Sequence, residues 1–60
     1  MSTVYNPEAD AIAEIERLEL ESRDIRKLIE HAQSEEDKRV LNRQLEELKS
    51  QIELLKARLP

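Results

Sequence analysis

Residues 31–37 read His31-Ala32-Gln33-Ser34-Glu35-Glu36-Asp37, and the fold turns on whether this stretch carries one helix onward or separates two. The side-chain oxygen of a serine such as Ser34 caps free backbone amides, and three acidic residues directly after it suit the positive end of a helix. Asp37, three positions on, makes the segment close to a capping box, in which Glu or Gln is the preferred third residue. His31 and Gln33 then fall at the end of a preceding helix. The stretch contains neither glycine nor proline, so an uninterrupted helix is also compatible with it.

The apolar patterns on either side favour a break. Upstream, Ala11, Ile15, Leu18, Ser22, Ile25, Ile29 and Ala32 alternate spacings of three and four, which puts them on one helical face with Ser22 as the only polar member. Downstream, Leu41, Leu45, Leu48, Ile52, Leu55 and Leu59 repeat that spacing without interruption. If one straight helix carried both, at about 100° per residue, their mean directions would differ by roughly 120°. One flat partner surface cannot receive both. Folding back near residues 33–37 removes the conflict and pairs Ile29 with Leu41, Ile25 with Leu45, Leu18 with Ile52, Ile15 with Leu55 and Ala11 with Leu59, leaving Ser22 opposite Leu48. The predicted fold class is therefore all-α, an antiparallel two-helix hairpin with helices at about 7–32 and 35–59. Its expected helix–helix core is Ile15, Leu18, Ile25, Ile29, Leu41, Leu45, Leu48, Ile52, Leu55 and Leu59. One continuous coiled-coil helix is the alternative.

Asn6-Pro7-Glu8 marks the first helix start, with asparagine as the cap and proline at a position that needs no amide hydrogen. Residues 1–6 read as a flexible N-terminal tail and 7–60 as a single domain closed by Pro60. At sixty residues a single core is marginal without a staple, and the chain has no cysteine and one histidine, so no disulfide, metal site or cofactor is expected. Two helices leave one side of their shared stripe uncovered, which points to homodimerisation into a four-helix bundle. No basic, apolar leader opens the chain, and no apolar run approaches the ~20 residues a membrane span requires; cytoplasmic residence and no membrane partner follow as expectations.

Five aliphatic residues, Ile12, Leu20, Leu28, Val40 and Leu54, lie beside or outside the seams. Apolar residues beyond what a hairpin buries point to self-association or a protein partner. Leu20, Leu28, Val40 and Leu54, with Tyr5 as the sole aromatic, are the candidate partner contacts. Charge is uneven along the chain: Glu8, Asp10, Glu14, Glu16, Glu19 and Glu21 face only Arg17 in the first half of helix one, whereas basic residues gather near the turn. Arg23, Arg26, Lys27, Arg39 and Arg43 are the candidate contacts for an anionic small ligand such as a nucleotide. Pairs such as Glu19 with Arg23 and Arg43 with Glu47 are equally what solvated helix faces carry. A net charge of −4 and the lack of a recognition helix behind a tight turn argue against DNA. His31, a few serines and scattered surface carboxylates form no catalytic constellation, so no enzyme activity is expected.

Asn42-Arg43-Gln44-Leu45-Glu46 is similar in placement to the Ser-Gln-Glu-Leu-Asp motif on the second helix of the small helical-hairpin aspartyl phosphatases that act on sporulation response regulators. Asparagine stands here for the serine and glutamate for the aspartate, and only Leu45 matches at its own position, so the resemblance implies a hairpin and transfers no phosphatase chemistry. The expected function is that of a small oligomeric helical interaction module, a regulator or inhibitor in the style of phage and bacterial proteins that bind a larger protein. An anion-binding oligomer and a purely structural coiled-coil element are the other readings.

Overall fold

The computed structural model describes residues 6–59, which form two helices and no strand. Helix α1 spans Pro7–His31 and helix α2 spans Glu35–Ala57. They pack against each other as a hairpin. A single helix through the same residues would extend about 75 Å, whereas the longest dimension is 53 Å.

Local chemistry sets each boundary. The Asn6 side chain accepts bonds from the backbone amides of Glu8 and Ala9 at 3.1 and 3.3 Å, and Pro7 follows where no amide hydrogen is required. Helix α1 closes at Ala32, whose amide donates to the Ile29 carbonyl at 3.2 Å while its backbone swings out to φ −66°, ψ 134°. Ser34 is extended too, at φ −122°, ψ 151°, and its hydroxyl accepts from the Asp37 amide at 3.0 Å. The chain thus reverses without glycine, because among the described residues none has a positive φ. Extended backbone at Ala32 and at Ser34, fixed by the cap, is enough. Asp37 fills the third position of the capping segment predicted from the sequence.

Helix α2 ends two residues before the predicted boundary. Arg58 has φ −84° and ψ −15°, its amide donates to the Leu55 and Lys56 carbonyls, and the Leu59 amide donates to the Lys56 carbonyl. The last turn is tightened, as helix termini commonly are, and Leu59 still packs against the core.

The seam is the predicted one, with a graded interior. Ile15, Leu18, Leu45, Leu48 and Ile52 are buried, while Ile25, Ile29, Leu41, Leu55 and Leu59 are half-buried. Ile15, Leu18, Leu48 and Ile52 form the central cluster, flanked by Ile25, Leu55 and Leu59. Leu18 is the most enclosed, at 3% exposure, and Ser22 is nearly as enclosed at 4%. The Ser22 hydroxyl donates to the Leu18 carbonyl at 2.9 Å, satisfying the one polar group in the seam from within its own helix. In its thinnest direction the molecule measures 12 Å, a single layer of helices, so both edges of the seam meet solvent.

Candidate functional site

A two-helix layer has two flanks, one on each side of the seam, and the helical angle decides which residues share one. Arg26 and Leu28 lie about 80° to either side of the direction set by Ile25 and Ile29. They therefore face opposite flanks, and the two flanks differ in chemistry.

On the Leu28 flank, the turn end holds an apolar concavity of about 520 Å³ lined by Leu28, His31, Ala32, Gln33, Asp37, Val40 and Leu41. The reversal at residues 32–34 brings Leu28 and Val40, one from each helix, to the same concavity. Both are more than half exposed, as are Leu20 and Leu54; with Ile12, these are the five large aliphatic residues the helices leave in solvent. Leu20 and Leu54 do not join the turn-end concavity. Leu20 lies about 180° and Leu54 about 130° from the seam direction, on the outer surfaces of α1 and α2. Of the candidate partner contacts the structure gathers Leu28 and Val40 and sets Leu20 and Leu54 apart; Tyr5 lies outside the described residues, as do the rest of residues 1–5 and Pro60.

The open end has a larger groove of about 910 Å³, lined by Pro7, Ala11, Leu55 and Leu59 together with Glu8, Asp10, Glu14, Arg17 and Arg58. Part of its charge is paired within α1. Arg17 donates to Glu21 at 2.7 Å and also to Glu14, and that bond and charge of Glu14, with the further charge of Glu21, raise the guanidinium above its ordinary value. The arginine is thereby committed to its own helix.

A third groove, of about 470 Å³, lies on the flank of Arg26 and is lined by Glu19, Ser22, Arg23, Arg26, Lys49, Ile52, Glu53 and Lys56. Arg23 and Arg26 were predicted as anion contacts, and the structure brings them together. Lys27, Arg39 and Arg43 do not line this groove. At about 100° per residue, Lys27 and Arg43 point nearly directly away from the seam. Lys49 and Lys56 take their place from α2. The same constant-sum pairing that aligns the seam residues signals this meeting in the sequence, since Lys49 stands opposite residues close to Arg23.

His31, at the end of α1, is exposed, and among the described residues no group of three histidine, cysteine, aspartate or glutamate side chains is placed to hold a metal ion. No described helix is long and apolar enough to cross a membrane. No family model matches the chain, and neither the curated proteins nor the solved structures compared with it contain a match.

Proposed function

We propose that this chain is a small oligomeric helical interaction module, which pairs with a second copy of itself and regulates a larger protein by binding it in the cytoplasm, without catalysis of its own. The observation carrying this reading is the turn-end concavity, where Leu28 and Val40 stand more than half exposed beside Ala32 and Leu41. A single layer of helices with half-buried seam residues at its edges has an uncovered side, and a second hairpin laid across it completes a four-helix bundle. Leu20 and Leu54, on the outer surfaces, remain available for the regulated protein after the hairpins pair.

Absolute mass measured by sedimentation equilibrium from about 1 μM to 1 mM tests the first half of the reading. The parent chain is expected to sediment as a dimer or a larger closed oligomer that dissociates on dilution, and Leu28→Gln with Val40→Gln to shift it toward monomer. A parent that stays monomeric throughout the range overturns self-association. For the second half, a partner captured by the parent chain and retained by Leu20→Gln with Leu54→Gln excludes those two residues as the regulatory surface.

A further inference from the structure

The groove between Arg23 and Arg26 on α1 and Lys49 and Lys56 on α2 has no part in the proposed interface, since it opens on the opposite flank from Leu28. We propose that it is a binding site for a small phosphate-bearing anion.

Charge is the first argument. Four cations and two carboxylates, Glu19 and Glu53, line the groove, giving it a local charge of +2 (four minus two) in a chain whose net charge is −4. Helix faces can neutralise such groups within the helix; outside the groove Arg17 and Lys38 are held in this way, whereas Lys27, Arg39, Arg43 and Arg58 are in none of the ion pairs found among the described residues. Arg17 is held by Glu14 and Glu21, and Lys38 lies 3.6 Å from Glu35. In the groove only Lys49 is so engaged, at 3.6 Å from Glu46. Arg23, Arg26 and Lys56 form none of the ion pairs found among the described residues, although Glu19 precedes Arg23 by four positions and Glu53 precedes Lys56 by three. Three cations are left with unused donors on one concave surface.

Geometry is the second argument. Two guanidinium groups three residues apart on one helix, and two ammonium groups seven residues apart on the other, line the groove from its two sides. A phosphate presents three or more acceptor oxygens in a tetrahedral array, which takes forked donors from one side and point charges from the other; a single carboxylate cannot engage all of them. Ile52 and Ser22, both buried, form the floor, and the Ser22 hydroxyl is already donated to Leu18, so the floor can pack a ligand body and supplies no further donor. Glu19 and Glu53 can accept from hydroxyl or amino groups of that body and repel additional anionic groups beside them. The volume of about 470 Å³ is within the ordinary range for small-molecule sites. These features together select a phosphate or diphosphate ester carrying a neutral, hydrogen-bonding body, the chemistry shared by nucleotides and sugar phosphates.

Calorimetric titration of the full chain with pyrophosphate, ADP and adenosine, at about 50 mM salt where exposed charges are least screened, tests the site. Pyrophosphate and ADP are expected to bind and adenosine to give no heat. Arg23→Gln with Arg26→Gln is expected to weaken ADP by about tenfold or more, as is Lys49→Gln with Lys56→Gln, since each pair removes charge-assisted bonds. Arg39→Gln with Arg43→Gln removes the same charge away from the groove and is expected to change affinity by about twofold or less. All six substituted residues are exposed, and circular dichroism confirms the helix content of each variant. Absence of binding by pyrophosphate and ADP up to about 5 mM overturns the proposal. Equal loss in the Arg39/Arg43 variant overturns it as well, because binding would then follow net charge alone.

Discussion

Replacing Ser22 with alanine removes the only polar group from the seam, and the structure allows its effect to be worked out. The hydroxyl at 4% exposure donates to the Leu18 carbonyl at 2.9 Å. An intramolecular hydrogen bond of this kind contributes a net ~0.5 to 1.5 kcal/mol. Its loss leaves no orphan, because the Leu18 carbonyl lies inside α1 and keeps its helical amide partner. Against that loss stands a gain in helix propensity of roughly 0.5 kcal/mol. The sum lies between no change and an expected loss of ~1 kcal/mol. Leu18→Ala, one turn earlier in the same seam, deletes a side chain at 3% exposure and is expected to cost ~2 to 5 kcal/mol. Urea unfolding followed by circular dichroism at 222 nm, with every variant at one protomer concentration, resolves the two. A Ser22→Ala variant that loses more than ~2 kcal/mol would refute this reasoning and show that the hydroxyl holds together more than its own helix turn.

Ser34→Ala removes the acceptor for the Asp37 amide and is expected to cost ~1 kcal/mol, read as a lower urea midpoint at unchanged slope. Arg17 has its proton affinity raised by Glu14, and a raised group lends stability that is lost only as pH climbs through its folded value, which lies above the group's ordinary value. Melting temperatures of the parent and of Arg17→Gln are therefore expected to run parallel between about pH 5 and pH 9; diverging curves would show that Arg17 alters the titration of its neighbours. Spin labels at Ala9 and Ala57 are expected to lie on the order of 20 Å apart, given helix axes 8 to 10 Å apart in packed pairs. A separation near the ~72 Å of continuous helix would replace the hairpin with a rod.

The seam was legible because burial in a helix follows a fixed angle, and the spacing of Ile15, Leu18, Ser22, Leu45, Leu48 and Ile52 records it directly. The reversal was legible through Ser34 and the acidic residues after it, although the missing glycine pointed the other way. That sign was misleading since the chain turns with extended backbone at Ala32 and Ser34, a conformation open to ordinary residues. The exposed set of Ile12, Leu20, Leu28, Val40 and Leu54 followed from the same angular rule. The membership of the basic groove obeys that rule too, but grouping the cations by nearness to the turn missed it. The groove residues gather by flank as well as by distance from the turn, so Lys49 and Lys56 join Arg23 and Arg26 while Lys27, Arg39 and Arg43 stay outside. Closeness in sequence to the turn was a poor guide to closeness in space.

The glycine-free reversal has one more consequence. Since Ala32 and Ser34 have negative φ, moving them from extended to helical backbone crosses no region that their side chains forbid. What opposes straightening is the seam, with the Ser34 cap, and seam contacts are indifferent to which chain supplies the opposite helix. Two copies that open and exchange their second helices recover all of them, so this topology carries an inbuilt route to domain swapping, governed by protomer concentration rather than by backbone sterics.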